Sequence, residues 1–418
     1  MSNFFENKQT DLMLFRTLLM DNNIIGIKLF IKKYPNIVND CYNGVTPLLA
    51  VIATNRIGIA KLLLENNADV NFQTEDNHET SLLIESKRGN IKNIKLLLRY
   101  NADVNLCSLL GCSPLYVATQ YNHIDIVNLL IKNGASINLS TNTGHSPLHT
   151  AVERNHIDII YELIKHGADI NAHNNNGDNV LTFAVIAENI KLIRYLISFG
   201  VNVNHRNNNG NSLLYIAARN DLIDIVQILI EYGADVNLCD NDEYSPLYIM
   251  VQNNNIAIAQ KLLNNGADVN IRTLGFCPLF LASQKGYIDM LNILIMHNVD
   301  MATVCNSGHS VLYFATIPPT FNNMVVISKL IENGAIINKT IYEQIIIHQK
   351  KYKKCKCAKR ARHTCSQCGI AIYCSIECQS EDWKCHKKSC KIIKKYLLEG
   401  AAATEGVESA ATEGAECH

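Results

Sequence analysis

Residues 145–178 read HSPLHTAVERNHIDIIYELIKHGADINAHNNNGD, and this stretch decides the fold. Its opening Ser146-Pro147 predicts a helix start, because a proline in the first helical turn removes no hydrogen bond that the helix needs. The apolar residues that follow recur at helical spacing, so we expect them to form one face of this helix. They are Leu148, Ala151 and Val152.

A second helix is predicted after Asn155-His156, which breaks the first one. Gly167 then stands where a helix C-terminus favours a left-handed backbone. A polar turn over residues 173–178 leads into the next copy of the pattern. One such helix pair cannot bury its own apolar face and must stack against neighbours. The predicted apolar face of the second helix consists of Ile157, Ile160, Leu163 and Ile164.

The pattern recurs along most of the chain. A short string, Ala-Asp-Val-Asn or a close variant, repeats at spacings of 34 residues once and 33 residues thereafter. A fixed period of this length identifies a solenoid, in which each repeat contacts mainly its neighbours. The asparagines of the string are Asn71, Asn105, Asn138, Asn171, Asn204, Asn237 and Asn270.

The repeat resembles the ankyrin repeat, whose Thr-Pro-Leu-His opening is best preserved here as Ser146-Pro147-Leu148-His149. The resemblance recurs nine times over 43–340, and 1–42 looks like a divergent N-terminal capping repeat. It implies an all-α ankyrin-repeat solenoid, built of helix-turn-helix units with short β-hairpin loops. The repeat that begins near Leu274 is one residue shorter than the others, and the loop from Phe72 to Ser81 is one residue longer.

A different pattern occupies 355–390, which reads CKCAKRARHTCSQCGIAIYCSIECQSEDWKCHKKSC and holds eight of the fifteen cysteines. Seven of these cysteines and one histidine fall into four closely spaced pairs. Such pairs each supply two ligands to a tetrahedral zinc, so eight ligands indicate two closed, structural sites. The pairs are Cys355 with Cys357, Cys365 with Cys368, Cys374 with Cys378, and His386 with Cys390.

This segment resembles a MYND-type zinc finger, in which ligands from alternate pairs bind the same metal. The resemblance implies one zinc on Cys355, Cys357, Cys374 and Cys378, and a second on Cys365, Cys368, His386 and Cys390. The first pair departs from the family, which usually has two residues between these cysteines where this chain has one. We therefore treat His363 as the substitute candidate for Cys355, and Cys385 as a free thiol.

The MYND resemblance also implies peptide binding. The family's contact positions correspond to Ser366, Gln379 and Trp383, and the expected ligand is a proline-containing peptide. Trp383 could stack on a proline ring or pack against the second zinc site, and the sequence leaves both open. Together with the repeats, this predicts a non-catalytic adaptor. The ankyrin concave face and hairpin tips would bind one protein, and the finger would recruit another.

Two alternative functions stay open. The first is a ubiquitin-ligase adaptor or ligase, because RING fingers also bind two zincs with interleaved ligands. The second is a nucleic-acid-associated transcriptional regulator. Residues 350–395 carry fourteen lysines and arginines against three acidic residues, whereas the whole chain has 38 of each sign. Basic runs of this kind bind phosphates or serve as nuclear-import signals, although aromatic residues for base stacking are scarce here.

The sequence shows no nucleophile elbow, metalloprotease motif, dinucleotide fingerprint or P-loop, so no enzyme is expected. No signal peptide or membrane segment is apparent either. We therefore expect a monomer in the cytoplasm or nucleus, within the host cell if the protein is viral, since the Asn- and Ile-rich repeats resemble ankyrin proteins of giant DNA viruses. The scattered cysteines are expected to be small buried residues. They are Cys41, Cys107, Cys112, Cys239, Cys277 and Cys305.

Two further segments complete the organisation of the chain. Residues 341–354 are predicted to form a linker helix between the repeats and the finger at 355–390. Residues 391–418 comprise a short basic segment and a tail rich in Gly, Ala, Thr and Glu. The tail lacks the large apolar residues that a packed core needs, so disorder is expected there.

Overall fold

The computed structural model describes residues 2–317, 323–337, 341, 363–364, 372–373 and 391 of the 418. It divides into two compact units, Met1–Asn208 and Asn209–His418. Each unit consists of helix pairs in two layers. First helices of successive pairs pack on one another in one layer, and second helices do so in the other. This is the arrangement expected of an ankyrin solenoid, and it confirms the predicted fold class.

The first unit holds six helix pairs, and a 3-10 helix at Pro35–Asn39 follows the first of them. Its helices are α1 (Ser2–Met20), α2 (Ile24–Lys33), α3 (Pro47–Ala53), α4 (Ile57–Glu65), α5 (Ser81–Arg88), α6 (Ile91–Arg99), α7 (Pro114–Gln120), α8 (Ile124–Lys132), α9 (Pro147–Glu153), α10 (Ile157–Lys165), α11 (Val180–Ile186) and α12 (Ile190–Ser198).

The second unit holds further helix pairs and one short antiparallel strand pair, in which His363 lies opposite Tyr373 and Thr364 opposite Ile372. Its elements are α13 (Leu213–Arg219), α14 (Ile223–Glu231), α15 (Pro246–Gln252), α16 (Ile256–Asn264), α17 (Pro278–Lys285), α18 (Ile288–Met296), α19 (Val311–Ala315), α20 (Asn323–Glu332), β1 (His363–Thr364) and β2 (Ile372–Tyr373). The predicted linker helix and tail lie outside the described residues, apart from Ile341 and Lys391.

Most first helices begin at a serine or threonine that caps them. Ser146 is the N-cap of α9, and its hydroxyl oxygen accepts a hydrogen bond from the backbone N–H of His149 at 3.4 Å. Pro147 follows at the first helical position, which confirms the start predicted from Ser146-Pro147. Thr46, Ser113 and Ser245 make the same bond in their own repeats. Each cap satisfies one backbone donor that the helix itself leaves free.

The buried face of α10 differs in two residues from the sequence prediction. Ile159, Ile160 and Leu163 are fully buried, whereas Ile157 is 43% exposed and Ile164 is half-buried. Ile157 is the first residue of α10 and directly follows its cap, His156. Ile159 takes its place in the core between the two layers.

An asparagine ladder explains the fixed period of the first unit. The side-chain oxygen of Asn105 accepts the backbone N–H of Ser136, and that of Asn138 accepts the N–H of Asp169. These bonds join positions 31 residues apart, and they are 2.7 and 2.9 Å long. The recurring asparagine of the sequence motif is therefore a structural connection from each repeat to the next. In the second unit, Asn237 makes the same bond.

One repeat of the first unit carries a polar cluster inside its core. Glu85 of α5 and Asn93 of α6 are both fully buried. The Asn93 Nδ2 group donates to the Glu85 Oε2 atom at 2.7 Å, and Arg88 Nη1 lies 3.2 Å from Glu85 Oε1. Buried carboxylates are tolerated only when they are paired and hydrogen-bonded in this way. The repeat length and the periodicity did not reveal this cluster.

Candidate interaction surface and zinc finger

The hairpin turns that precede the first helices, here called the tips, are joined to one another by backbone hydrogen bonds. In the first unit the N–H of Leu109 donates to the Asn77 carbonyl at 2.8 Å, and the N–H of Asn142 donates to the Leu110 carbonyl at 3.0 Å. The N–H of Asn175, in the next tip, donates in the same way to the Thr143 carbonyl. Because each tip is bonded to its neighbour, the backbone of the tips is held in a fixed position.

Glycine makes this close stacking of tips possible. Gly144 has φ +79°, and a Cβ added to it would lie 2.6 Å from the backbone nitrogen of Asn175. The Nδ2 group of Asn175 meanwhile donates to the carbonyl of Asn142 at 2.8 Å. A larger residue at Gly144 would therefore both strain the backbone and displace the next tip.

Most tips of the first unit present polar side chains, but one presents two leucines. Leu109 and Leu110 are 53% and 70% exposed. Tyr121, which directly follows the first helix of the same repeat, α7, is also exposed, and the Lys87 ammonium lies 5.8 Å from its ring centroid. Exposed apolar side chains on a firmly held backbone are typical of protein-binding surfaces. Leucine at positions where the neighbouring tips hold Asp, Asn or Thr is the sequence signal that could have found this feature.

A histidine cluster lies behind the tips of the first unit. The Nδ1 atom of His149 accepts a hydrogen bond from the Ser146 backbone N–H at 3.2 Å and lies 2.8 Å from its hydroxyl. Its ring packs edge-on against Phe183, at 5.8 Å between centroids. Burial, followed by the neighbouring His145, lowers the pKa of His149 to about 4. The imidazole is therefore neutral at physiological pH and serves the helix start, so it is unsuited to acid–base chemistry near pH 7.

The prediction that the scattered cysteines are buried is correct for only two of the six. Cys277 and Cys305 are buried, Cys41 is exposed, and the remaining three are half-buried. Cys107 and Cys239 each follow a motif asparagine by two residues, and Cys41 follows Asn39 in the same way, in the arm that leads to a tip. Thiols in these arms reach solvent because the arms lie outside the two helix layers. The half-buried cysteines are Cys107, Cys112 and Cys239.

The predicted metal and peptide ligands lie outside the described residues. This holds for all eight zinc ligands and for Ser366, Gln379 and Trp383. The strand pair β1–β2 is the described part of this segment, and the two strands immediately precede Cys365 and Cys374 in the sequence. Within the described ranges, no group of three or more metal-binding side chains comes together.

Comparison with known families assigns both parts of the chain. A family model described as "Ankyrin repeats (3 copies)" matches residues 5–106, 82–174, 168–240, 223–305 and 247–341, which together span most of the chain. The chain belongs to the ankyrin-repeat family. A second model, "MYND finger", matches residues 353–390 of this ankyrin-repeat protein. Both resemblances predicted from the sequence are thereby confirmed.

Among curated proteins, human "Histone-lysine N-methyltransferase SMYD3" is 44% identical over 41 residues. The match covers 10% of this chain and 10% of the methyltransferase. The ankyrin-repeat protein thus shares a short segment with that enzyme, and this match leaves nine tenths of the enzyme's length uncovered.

Ankyrin repeats and MYND fingers are protein-interaction modules, and their combination indicates a protein-interaction adaptor. The MYND finger implies zinc binding. In the part of the chain that the structure describes, every helix is too short or too polar to cross a bilayer.

Proposed function

We propose that this ankyrin-repeat protein is a non-catalytic adaptor that joins two proteins, one bound by the repeats and one recruited by the MYND finger. The observation that carries the proposal is the row of hydrogen-bonded tips in the first unit, one of which exposes Leu109 and Leu110. Surfaces that are preorganised in this way bind partners with little loss of conformational freedom. The two-part organisation, with repeats at 43–340 and the finger at 355–390, provides separate surfaces for the two partners.

The finger would hold two structural zincs. We assign Cys355, Cys357, Cys374 and Cys378 to the first, and Cys365, Cys368, His386 and Cys390 to the second. Seven thiolates and one imidazole are a donor set that suits zinc, and filling all four positions of each ion leaves no place for a substrate. The zincs would stabilise the fold of the finger, which is too small to depend on an apolar core.

The strand pair supports the separation of Cys365 from Cys374. Because β1 and β2 are antiparallel, the chain runs in opposite directions through the two strands. Thr364 lies at the loop end of the pair and Tyr373 at its open end. The predicted ligands Cys365 and Cys374 come directly after residues at opposite ends of the pair, which favours their proposed assignment to different ions.

Peptide binding by the finger is proposed for Ser366, Gln379 and Trp383, with a proline-containing segment as the ligand. Tryptophan offers a large flat surface with one polar edge, which suits contact with a proline ring. Trp383 is the only tryptophan of the chain, so its fluorescence would report such contact directly.

Competing functions have less support. A ubiquitin-ligase role would require binding of a ubiquitin-conjugating enzyme, and a nucleic-acid role would require binding that weakens steeply with salt. The methyltransferase relative shares only 41 residues, which gives no support for its activity here. We place the protein in the cytoplasm or nucleus as a monomer. A viral origin, with host proteins as partners, rests on the composition of the repeats alone.

The test compares full-length wild-type protein with Trp383→Ala. We expect a proline-containing peptide to quench Trp383 fluorescence in the wild type, and calorimetry to show at least tenfold weaker binding by the variant. Its bound zinc must stay equal to that of the wild type, so that a folding defect is excluded. A Cys385→Ser variant is the matched control and should bind normally. Equal binding by both variants and the wild type would contradict the proposed role of the finger.

The repeats are tested separately by proximity labelling in cells, with the full chain compared against a 1–350 truncation. We expect each form to capture a set of proteins through the repeats, and the full chain to capture additional proteins through the finger. Identical protein sets would show that the finger recruits nothing, and the adaptor proposal would then be wrong.

A further inference from the structure

The shortened repeat of the second unit places a leucine at the centre of a very tight turn. Thr273 and Phe276 exchange two backbone hydrogen bonds, each 2.8 Å long. The two residues between them, Leu274 and Gly275, have φ values of +50° and +85°. A two-residue loop with both φ values positive is a type I′ turn, for which Asn-Gly is the favoured sequence.

Leucine is a poor choice for this backbone conformation. Its Cβ approaches the following carbonyl when φ is positive, a strain that glycine avoids and that asparagine offsets by local hydrogen bonding. All other non-glycine residues with positive φ in the described ranges are Asn, Asp, Glu or His. The Leu274 side chain is 60% exposed, so burial does not compensate for the strain. Strain that stability does not explain is a reason to look for a function at the site.

The turn is held firmly on both sides. The hydroxyl of Thr273 donates to the Glu243 carbonyl in the preceding tip at 2.9 Å. On the other side, a Cβ added to Gly275 would lie 2.3 Å from the side chain of Asn306 in the following tip. Leu274 therefore projects from a fixed backbone, which lowers the entropy lost when a partner binds it.

Phe276 extends the apolar surface and rests on a base of aromatic rings. Its side chain is 40% exposed. Its ring meets Phe280 edge-on at 6.4 Å and Phe314 at 5.7 Å between centroids, and the rings of Phe280 and Phe314 are 4.9 Å apart. Leu274 and Phe276 together are called the Leu274 patch below. Two exposed apolar side chains on a rigid aromatic base have the form of a binding hot spot.

The charges next to the Leu274 patch are mostly acidic. Asp242 and Glu243 are exposed on the preceding tip, the one fastened to Thr273. None of the ion pairs found among the described residues involves either carboxylate. The neighbouring cation, Arg272, donates to the Thr303 hydroxyl at 3.0 Å in the following repeat. A partner that covers the patch thus meets two carboxylates on the Glu243 side.

We propose that the Leu274 patch binds a peptide segment in which a bulky aliphatic or aromatic side chain lies within two residues of a lysine or arginine. The apolar side chain would cover Leu274 and Phe276, and the cation would pair with Asp242 or Glu243. This inference rests on the proposed adaptor function and names the class of partner for the second unit. Charge complementarity of this kind selects partners and orients them on the surface.

The experiment selects peptides from a random dodecapeptide phage library on the full-length, zinc-loaded protein. We expect the enriched peptides to share an apolar residue within two positions of a lysine or arginine. Synthetic copies should bind Leu274→Asn at least tenfold more weakly than the wild type, and Asp242→Asn with Glu243→Gln about threefold to tenfold more weakly. Met296→Gln, which alters a side chain 74% exposed at the end of α18, is the control and should bind normally.

Thermal melting separates a binding role from a structural one. Because asparagine suits a positive φ better than leucine does, Leu274→Asn should melt at or above the wild-type temperature while losing peptide. A lower melting temperature would indicate that Leu274 supports the fold, and the proposal would be wrong. Enrichment of acidic peptides, no enrichment, or unchanged binding by Leu274→Asn would also overturn it.

Two further outcomes are distinguishable. If light scattering shows a dimer that Leu274→Asn abolishes, the patch binds a second copy of the chain and the peptide proposal is wrong. If the patch binds no peptide while Trp383-dependent recruitment persists, this inference fails and the adaptor function stands.

Discussion

Asn105 and Ser136 lie in successive repeats, and the side-chain oxygen of the first accepts the backbone N–H of the second at 2.7 Å. The Nδ2 group of Asn105 also donates to the Gly134 carbonyl at 3.3 Å. One side chain thus binds the two ends of the Gly134–Ser136 segment, where a helix pair ends and the next hairpin begins. Because this geometry needs both an acceptor and a donor, the motif requires an amide at this position.

Replacement of Asn105 by alanine should lower the free energy of unfolding of the first unit by about 1–2 kcal/mol, because a backbone N–H loses its partner. Urea titration followed by circular dichroism measures the change. Asn133→Ala is the matched control, because the Asn133 side chain bonds only the Leu129 carbonyl of its own helix. If both variants lose the same free energy of unfolding, the Asn105 bond between repeats stabilises the unit no more than a bond within one helix does.

The buried pair Glu85 and Asn93 gives a second prediction. Equivalent positions in other repeats hold apolar residues, such as Ala118 for Glu85 and Ile126 for Asn93, and both of these are buried. Either single change, Glu85→Ala or Asn93→Ile, should destabilise the protein by about 1–3 kcal/mol, because the remaining partner loses a hydrogen bond in the core. The double variant should be at least as stable as the wild type, because an apolar pair needs no partners.

Chemical denaturation of all four proteins forms a double-mutant cycle for this pair. We expect a coupling energy of about 2–6 kcal/mol, which is the sum of the two single losses, because the double variant should be near or above the wild type in stability. Additive losses in the double variant would mean that Glu85 and Asn93 act independently, contrary to the 2.7 Å bond between them.

The sequence predicted the repeats well because the 33-residue period recurs many times, so one irregular repeat does not obscure the period. It placed the start of α9 correctly at Ser146-Pro147, since the cap is a local signal. It missed the exposure of Ile157 and the polar pair Glu85–Asn93, because both depend on how neighbouring helices pack. It showed that the repeat beginning near Leu274 is one residue shorter, but the backbone strain at Leu274 depends on its φ value, which the sequence does not provide. The zinc ligands and the peptide-binding residues remain predictions.

The low pKa of His149, about 4, predicts a loss of stability in acid. An unfolded histidine has a pKa near 6.5, so below that pH the unfolded chain takes up a proton that the folded chain excludes. The stability that depends on neutral His149 is fully present above pH 6.5. It is lost as the pH falls towards 4, by up to about 3 kcal/mol. Urea titrations at pH 7.5, 6, 5 and 4 measure this slope.

His149→Gln should flatten the slope, because glutamine does not titrate and can still accept the Ser146 N–H as in a capping box. A wild-type slope in His149→Gln would show that other groups cause the acid sensitivity. The pKa of His156 is also lowered, mainly by burial, so part of the slope should remain in the variant.

Zinc content tests the two-site assignment at its weakest point, Cys355. The wild-type protein should carry two zincs per chain by elemental analysis, and removal of metal with a chelator should unfold the finger, since structural zinc contributes on the order of 10 kcal/mol. Cys355→Ser and Cys357→Ser should each carry fewer than two. His363→Ala and Cys385→Ser should keep both, because neither residue has the close spacing of a ligand pair.

The His363 result decides between the two ways of completing the first site. His363 lies in β1 opposite Tyr373, and Tyr373 immediately precedes the predicted ligand Cys374. A ligand at His363 would therefore come from the strand next to β2, whereas a ligand at Cys355 would come from eight residues earlier in the chain. If Cys355→Ser keeps two zincs while His363→Ala loses one, the histidine is the ligand and the Cys355 assignment is wrong. Loss of zinc in Cys355→Ser alone would establish the pair of cysteines separated by one residue.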